Sequence, residues 1–489
     1  MIRVYFCLCA ILSLFALAIA ATAQSQHSNS SIFRDPTQQF APGPTYSLSA
    51  EPWALCVGDF NGDGIVDVAF AGIGSTGENV AVTIALGTGN GQFTLEKDFT
   101  AASDSFRPTG IAAADLNHDG KVDLVVTYEA FTAGAVVVLF GNGDGTFSPG
   151  ANYKVGGAGA AIGDFNGDGI PDIASPRGQA GAVVDILLGN GDGTFTVGTS
   201  VNTLKYVAWG DPLAADLNRD GKLDLVIPMY TPGGYNVALG NGDGTFQPAV
   251  FYSLPDTYTG VVVADFNQDG IPDVGFAGNY DYCDFISHTL IVGVALGNGD
   301  GTFQSPILLD DKNVCGGTLA IAADFNGDGK MDLLEATTQT LLLGKGAGML
   351  DDGDFSGGWA PYTFGAAAAD FNGDGAPDLV VVNDYPSGFD ISLNVSGDRE
   401  TLTSSANPSK VGEKVTFTAE VTATVSQEAV TGSVTFRDGK VTLGSVKLSN
   451  GTASLSTSKL TAGTHAISAV YSGNPNYIPK TASFFQVVQ

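Results

Sequence analysis

Short apolar runs alternate with acidic and glycine-rich turns through most of the chain. In one such unit, apolar residues 110–114 precede an acidic loop, and a second apolar run follows at 123–126. A third run spans 135–140, and the turn 141–145 leads into a fourth extended segment. Short runs separated by Gly, Asn and Asp are typical of antiparallel strands joined by tight turns. The pattern predicts four strands per unit and an all-β fold.

The acidic loop recurs seven times as Asp-x-Asn-x-Asp-Gly-x-x-Asp. The copies are spaced 46 to 59 residues apart and begin at Asp59, Asp115, Asp164, Asp216, Asp265, Asp324 and Asp370. Repeats of about 50 residues with four strands each are typical of β-propellers. The sequence therefore predicts a seven-bladed β-propeller over residues 37–396.

The two ends of this region share a pattern that predicts how the ring closes. The seventh repeat ends after its third strand, near Asn394. Residues 40–48 match the fourth strand of repeat four, 246–254, as Phe-x-Pro-x-x-x-Tyr-Ser-Leu. We expect the N-terminal segment to supply the fourth strand of the last blade, which removes an exposed sheet edge.

Each acidic loop offers the oxygen ligands that calcium prefers. Positions 1, 3, 5 and 9 carry Asp or Asn, position 7 can offer its backbone carbonyl, and position 6 is always glycine. Calcium takes about six to eight oxygen ligands in a flexible cage, and an all-protein cage favours it over magnesium. The glycine allows the positive φ that a tightly wrapped loop needs. Position 4 varies and is expected to point outward, and up to seven calcium ions are expected.

Five ligands are predicted in each loop, at positions 1, 3, 5, 7 and 9. The predicted ligands are Asp59, Asn61, Asp63, Ile65 and Asp67; Asp115, Asn117, Asp119, Lys121 and Asp123; Asp164, Asn166, Asp168, Ile170 and Asp172; Asp216, Asn218, Asp220, Lys222 and Asp224; Asp265, Asn267, Asp269, Ile271 and Asp273; Asp324, Asn326, Asp328, Lys330 and Asp332; and Asp370, Asn372, Asp374, Ala376 and Asp378. The alternative is an acidic hairpin without an ion, in which three carboxylates within nine residues repel one another.

Four glycine-rich turns are further candidates for ion or phosphate binding. They read Gly-Asn-Gly-Asp-Gly at 141–145, 189–193, 240–244 and 297–301. Each offers one carboxylate and lies between strands rather than before a helix. A tight turn is therefore favoured over a binding site.

Strand alternation assigns the connections between strands to two faces. The acidic loops and glycine-rich turns share one face, and the opposite, variable face receives the loops that differ most, 228–235, 276–291 and 381–390. Cys283 and Cys315 both fall on the variable face, which predicts a disulfide between them in an oxidising compartment. Cys56 takes a position that is apolar in other repeats, so we expect it to be buried rather than reactive.

Aromatic residues in the variable segments are candidates for stacking on sugars or anchoring a protein partner. Packing inside a blade is the alternative for each of them. These residues are Trp209, Tyr230, Tyr235, Tyr280, Tyr282 and Trp359.

The charge of the chain narrows the classes of partner. Among 489 residues, 51 are acidic and 21 are basic, which gives a formal net charge of -30. Such a balance offers no basic surface for phosphates, so a nucleic-acid partner is not expected. The acidic loops hold 21 of the acidic residues, so much of the negative charge belongs to the predicted metal ligands.

The N-terminus has the features of a secretory signal. Arg3 precedes an apolar run from residue 4 to about residue 20, and Ala21-Thr22-Ala23 provides a cleavage site. We expect residues 1–23 to be removed, 24–36 to form a tail, and the protein to be secreted. An uncleaved anchor is the alternative, and association with the cell surface stays open. No later stretch is apolar enough to predict a membrane span.

A second domain is expected at residues 398–489, where Ser, Thr and Val dominate and no acidic loop follows. Alternating runs at 414–421, 432–436, 452–458 and 465–471 predict a β-sandwich. The segment resembles a bacterial Ig-like repeat domain of surface and secreted proteins. It lacks a cysteine pair, so an antibody-type core is not implied.

The repeat unit, with its pattern AAADLNHDGKVDLVV followed by VVVLFGNGDGTF, resembles the FG-GAP or VCBS-type repeat and the calcium-binding blades of integrin alpha chains. The resemblance covers residues 37–396. It implies a seven-bladed propeller with calcium in the loops between strands 1 and 2 and partner binding on the opposite face. Two features depart from it: all seven repeats carry the loop, and the turns at 88–91 and 394–397 are degraded.

Catalysis finds little support in the sequence. The four histidines, His27, His118, His288 and His465, are scattered, and the carboxylates are assigned to metal. We expect a monomeric, secreted calcium-binding protein that acts in adhesion or binds a glycan or protein ligand. The alternatives are a polysaccharide lyase or hydrolase on the same scaffold, and a structural component of a surface matrix.

Overall fold

The computed structural model describes residues 40–489 apart from short internal segments. The segments outside the description are 75–76, 78, 97, 103–106, 130–133, 178–181, 204–210, 230–232, 255–258, 280–289, 312–318, 337–339, 353–362, 374, 384–386, 395–398, 423–430 and 473–480. The described residues form strands and turns and contain no helix. Among them, accordingly, there is no helix that could cross a membrane. The predicted signal segment, the tail, Cys283 and Cys315 lie outside the described residues.

The strands of the N-terminal repeats form seven sheets. In chain order these strands are β1 (Phe40–Ser47), β2 (Glu51–Gly58), β3 (Asp67–Ile73), β4 (Val80–Gly87), β5 (Phe93–Leu95), β6 (Phe99–Ala102), β7 (Pro108–Ala114), β8 (Asp123–Tyr128), β9 (Ala135–Gly141), β10 (Phe147–Tyr153), β11 (Ala161–Gly163), β12 (Asp172–Pro176), β13 (Val183–Gly189), β14 (Phe195–Val197), β15 (Val201–Asn202), β16 (Leu213–Ala215), β17 (Asp224–Met229), β18 (Gly234–Ala238), β19 (Val250–Ser253), β20 (Thr259–Ala264), β21 (Asp273–Asn279), β22 (Leu290–Ala295), β23 (Ile307–Asp311), β24 (Ala320–Ala323), β25 (Asp332–Glu335), β26 (Thr340–Gly346), β27 (Met349–Asp352), β28 (Thr363–Ala369), β29 (Asp378–Asn383) and β30 (Gly388–Asn394).

Each repeat folds into one antiparallel sheet, in which consecutive strands are neighbours. Sheet 1 contains β2–β6, sheet 2 β7–β10, sheet 3 β11–β15, sheet 4 β16–β19, sheet 5 β20–β23, sheet 6 β24–β27, and sheet 7 β28–β30 together with β1. Four strands per repeat is the number that the apolar pattern predicts. In sheets 1 and 3 the fourth segment is split into two short strands, β5 with β6 and β14 with β15, which the sequence analysis did not anticipate.

The sheets contact one another in a closed order. The first strand of each sheet contacts the first strand of the next, and β28 of sheet 7 contacts β2 of sheet 1. One hydrophobic cluster joins each pair of consecutive sheets, and another joins sheet 7 to sheet 1. Each fully buried Val, Leu or Phe in such a cluster contributes about 1.5–3 kcal/mol. This order of contacts is the one that a closed ring of sheets requires.

The N-terminal strand joins the last sheet, as the match between 40–48 and 246–254 predicts. β1 pairs antiparallel with β30, in a register that runs from Phe40 opposite Asn394 to Ser47 opposite Gly388. The ring of Tyr46 stacks on Phe389 with a centroid distance of 4.8 Å. The last sheet is therefore built from both ends of the repeat region.

The C-terminal strands form two facing sheets. They are β31 (Arg399–Ser404), β32 (Val415–Thr422), β33 (Ser433–Asp438), β34 (Val441–Lys447), β35 (Thr452–Thr457), β36 (Gly463–Tyr471) and β37 (Thr481–Val488). The strand orders are β31-β32-β35 and β34-β33-β36-β37. Phe417 of the first sheet and Phe436 of the second share one core, so the region is the expected β-sandwich. β31, β34 and β37 were not identified from the sequence pattern.

Candidate metal centres

The seven acidic loops connect the first and second strands of the seven sheets. We number them loop one (59–67) to loop seven (370–378) in chain order. Position 9 of each loop is the first residue of a second strand, from β3 in sheet 1 to β29 in sheet 7. Position 6 is glycine with φ between 77° and 85° in all seven loops. The positive φ predicted for this position is confirmed.

The carboxylate at position 1 accepts hydrogen bonds from backbone N–H groups of its own loop. In loop one, Oδ1 of Asp59 accepts hydrogen bonds from the N–H groups of Gly62 at 2.7 Å and Asp63 at 3.1 Å. Its Oδ2 accepts from the N–H of Gly64 at 2.8 Å. The bond to the N–H of position 6 recurs in the other six loops. The loop therefore wraps around this side chain.

Side-chain oxygens of positions 1 and 3 converge within the loop. The N–H of Asp63 donates both to Asp59 Oδ1 and to Asn61 Oδ1, the latter at 2.9 Å. Asn61 also donates its Nδ2 to Asp63 Oδ2 at 3.0 Å. Side chains of positions 1, 3 and 5 are thus joined by hydrogen bonds within one tightly wrapped loop.

Position 9 has a structural role that the sequence analysis missed. In loop two, Oδ2 of Asp123 accepts from the N–H of Leu116 at 3.0 Å, and Oδ1 accepts from the N–H of Gly141 at 2.8 Å. The same pair of bonds recurs in all seven sheets. All seven position-9 aspartates are fully buried. Each ties its loop to the end of the third strand.

Burial also changes the acidity of the position-9 carboxyls. Loss of solvent raises the pKa of Asp123 above its usual value, and the neighbouring carboxylates Asp119 and Asp115 raise it further. The two N–H donors act in the opposite direction. The same cause raises the pKa of Asp332 to about 6. Oxygen atoms that already accept one N–H keep a second lone pair, so these carboxylates can still face a cation.

Position 2 anchors each loop in the core between sheets. It is always Phe or Leu and at most 1% exposed; the residues are Phe60, Leu116, Phe165, Leu217, Phe266, Phe325 and Phe371. The recurring Phe or Leu between Asp and Asn is visible in the sequence and was the available signal. Fully burying such a side chain contributes about 1.5–3 kcal/mol.

The residues at position 4 are exposed, and their backbone conformation is also restricted. All seven residues there have φ between 59° and 76°, so the position is restricted to a left-handed conformation. Two of its side chains, Arg219 and Gln268, donate hydrogen bonds to backbone carbonyls of the following loop. Both side chains are exposed, as an outward position requires, and they also contact the neighbouring loop.

The glycine-rich segments form tight turns, and those at 141–145 and 240–244 donate a hydrogen bond to the acidic loop of the neighbouring sheet. In the turn 141–145, Oδ1 of Asp144 accepts from both the hydroxyl and the N–H of Thr146, at 2.6 and 3.0 Å. These bonds, the hydroxyl first, lower the pKa of Asp144. The N–H of Gly145 donates to the carbonyl of Phe60 in loop one at 3.0 Å. The loops and turns therefore share one face, as strand alternation predicts.

Tight contacts of this kind also join sheet 1 to sheet 7. The N–H of Gly91, in the degraded turn of sheet 1, donates to the carbonyl of Phe371 in loop seven at 2.9 Å. The N–H of Phe93 donates to the hydroxyl of Tyr46 at 2.8 Å. The turn that departs from the repeat pattern therefore keeps its bond to the neighbouring loop.

The remaining candidates divide into those that the structure describes and those that it does not. Tyr235 is buried and stacks on Tyr252 with a centroid distance of 5.2 Å, so packing is its role. Cys56 is a free thiol packed against the core between sheets 1 and 2, and burial raises its pKa. His118 is exposed in loop two. Trp209, Tyr230, Tyr280, Tyr282, Trp359, His27, His288 and Asp374 lie outside the described residues.

The donor set of the loops fits a hard cation such as calcium. It consists only of carboxylate, amide and carbonyl oxygens, which is the ligand chemistry of calcium. In the described part of the chain, no group of three or more Asp, Glu, His or Cys side chains is close enough together to hold a metal ion. A cation in such a loop would need further oxygen ligands, and the Asn at position 3 and the carbonyl at position 7 are the ones that the sequence offers. At position 7 of loop six, Nζ of Lys330 lies 3.2 Å from Oδ2 of Asp328. The ammonium group therefore offsets part of the negative charge of the loop.

An all-β repeat protein with an acidic loop between the first two strands of every sheet is the class that this fold defines. The chain carries FG-GAP-like repeats, matched over 59–126, 119–175, 164–227 and 229–276. It also carries a bacterial Ig-like domain (group 3), matched over 402–489. Loops six and seven lie beyond the matched repeats. No curated protein matches the chain.

Two solved structures show a distant likeness. One is the extracellular domain of a putative hybrid two component system from B. thetaiotaomicron, with 9% identity, a TM-score of 0.41, and coverage of 92% of this chain and 60% of that chain. The other is the extracellular domain of a putative one component system from the same organism, with 10% identity, a TM-score of 0.42, and coverage of 93% and 58%. The chain thus spans about 60% of the length of the first. Likeness of this degree carries no argument about function.

Proposed function

We propose that this chain is a secreted calcium-binding β-propeller of seven blades whose C-terminal Ig-like domain completes a binding or adhesion module. The observation that carries the proposal is the repetition of one loop structure in seven sheets that contact one another in a closed order. In loop one, side-chain oxygens of positions 1, 3 and 5 accept hydrogen bonds from the loop's own backbone, and the bond from position 6 to position 1 recurs in the other six loops.

Calcium would be held in each loop by the side chains at positions 1, 3, 5 and 9 and the carbonyl at position 7. The ion supplies positive charge where three carboxylates stand within nine residues. Residues of the chain itself shape the loop and anchor it. Position 1 shapes the loop, position 2 anchors it in the core, and position 9 ties it to the third strand. The loops thereby become stable parts of the propeller face.

The proposed ligand, a glycan or a protein, binds on the face opposite the acidic loops. Support comes from the difference between the two faces. The seven acidic loops share a positive φ at position 6 and a hydrogen bond from that residue to position 1. The connections between second and third strands, in contrast, differ in length and sequence. A constant face that holds the metal leaves the variable face to determine specificity.

A binding screen tests this proposal directly. The purified full chain, loaded with calcium, is applied to a glycan array and to extracellular matrix proteins, with EGTA-treated protein as the matched control. We expect saturable binding that is reduced by EGTA and occurs without turnover of the ligand. Measurable cleavage of a bound polysaccharide would replace the binding-module proposal with an enzyme.

A further inference from the structure

Three acidic loops carry a side chain where the other four have glycine. At position 4, His118, Arg219 and Gln268 have φ of 59°, 61° and 63°. A left-handed conformation is unfavourable for a residue with a Cβ, and glycine avoids this cost. Arg219 and Gln268 make hydrogen bonds that can offset it.

Arg219, in loop four, makes contact with loop five. Its Nε donates to the carbonyl of Gly270 and its Nη2 to the carbonyl of Asp269, both at 3.1 Å. These carbonyls belong to positions 5 and 6, directly before Ile271 at position 7. The guanidinium therefore fixes the peptide groups that lead to the predicted carbonyl ligand.

Gln268, in loop five, repeats the arrangement toward loop six. Its Nε2 donates to the carbonyl of Gly329 at 2.7 Å. Gly329 is position 6 of loop six and directly precedes Lys330 at position 7. Loops four, five and six are thus connected in series through the side chain at position 4.

We propose that Arg219 and Gln268 are positioning residues that couple loops four, five and six as cation sites. The proposal rests on calcium binding by the loops, as proposed above. A cation in loop four orders the backbone that carries Arg219, and Arg219 then holds loop five near its binding conformation. Partners outside the ligand set that orient ligands in this way commonly change metal affinity by about 10–100-fold. Because coupling free energies are reciprocal, a cation in loop five must also favour binding in loop four.

The different charges of Arg219 and Gln268 distinguish two explanations: that these side chains position the next loop, or that they act only through electrostatics. Arg219 places a positive charge beside loop five, whereas Gln268 places a neutral amide beside loop six. If the charge dominated, the arginine would repel the cation, and its removal would tighten binding. If positioning dominates, as we propose, removal of either side chain weakens binding in the following loop.

The experiment measures the calcium midpoint of each loop in the full chain. Hydrogen exchange with mass spectrometry is followed on peptides that contain single loops, as free calcium is varied. The variants are Arg219→Gly, Gln268→Gly and Arg219→Gln, and the control is His118→Gly. The control removes the same backbone strain, and within the described residues His118 makes no hydrogen bond to loop three.

We expect Arg219→Gly to raise the calcium midpoint of loop five by about fivefold or more, and Gln268→Gly to raise that of loop six. Arg219→Gln should keep most of the calcium affinity of loop five that Arg219→Gly loses. His118→Gly should leave the calcium midpoint of loop three unchanged. An unchanged or lowered midpoint in loop five would overturn the coupling while leaving calcium binding intact. If no loop responds to calcium, the proposed function fails and the coupling fails with it.

Discussion

Asp119 and Asp123 stand four residues apart in loop two, yet their surroundings differ completely. Asp119 is exposed, and its Oδ1 accepts one hydrogen bond, from the N–H of Lys121 at 2.9 Å. Asp123 is fully buried and accepts from two N–H groups that lie in different parts of the sheet. Two carboxylates of one loop therefore differ in role: Asp119 is open to solvent, whereas the buried Asp123 also joins two parts of the sheet.

The difference predicts unequal losses of stability when calcium is absent. Asp123→Asn turns an NH2 group toward one of two buried N–H donors, and a buried donor left without a partner costs about 1–3 kcal/mol. Asp119→Asn changes an exposed side chain and should stay within about 0.5 kcal/mol. Chemical denaturation of both variants in EGTA provides the comparison. Equal losses for the two variants would mean that Asp123 has no structural role beyond that of an exposed ligand.

At the scale of elements, β1 is the strand on which the closure of the sheet order depends. It is held by its pairing with β30 and by Tyr46, whose hydroxyl accepts the N–H of Phe93 from sheet 1. Tyr153 repeats this bond between sheets 2 and 3, where the N–H of Phe195 donates to its hydroxyl at 2.7 Å. The same bond thus occurs at the closure and again inside the series.

Tyr46→Phe is expected to loosen the closure, with Tyr153→Phe as the matched control. Each substitution keeps the ring and leaves one partly buried N–H without its acceptor, at a cost of about 1–3 kcal/mol. Hydrogen exchange should rise in residues 40–47 only in the Tyr46 variant. Equal exchange of 40–47 in both variants would show that Tyr46 does not hold β1 in place.

Much of the element order follows from the sequence because the signals are local. Apolar runs of strand length and Gly-Asn-Gly-Asp-Gly turns predict four strands per repeat, and the shared pattern of 40–48 and 246–254 predicts the pairing of β1. Features that depend on contacts between repeats could not be predicted in this way. Gly145 and Phe60 are far apart in sequence, and Arg219 and Gly270 are in different repeats. Only the fold brings these pairs together.

In the acidic loops, the sequence pattern identified oxygen donors but not their separate roles. Repetition marks positions 1, 5 and 9 as aspartate without showing that only position 9 is buried at the start of a strand. The variation at position 4 predicted an outward side chain but did not show that the backbone there is left-handed in every loop. Glycine in four loops was a signal of this restriction that variation in the other three obscured.

At the scale of the whole molecule, the proposed calcium sites predict that the stability of the repeat region depends on calcium. Extracellular calcium sites bind with Kd of about 0.1–1 mM. At about 1 mM calcium, each of the tightest sites would add about 1.4 kcal/mol. Seven such sites would approach about 10 kcal/mol, an upper limit that is comparable to the stability of a whole domain. Loops that carry Lys at position 7 are expected to contribute less, because that charge opposes the cation.

Thermal melts of the full chain in calcium, in magnesium and in EGTA test the central claim most directly. If calcium binds the folded loops and not the unfolded chain, as we propose, the Tm will be highest in about 1 mM calcium, lower in magnesium and lowest in EGTA. The difference between calcium and EGTA should amount to several degrees and increase with calcium concentration. An identical Tm in calcium and EGTA would contradict the account, because the seven acidic loops would then fold without a cation.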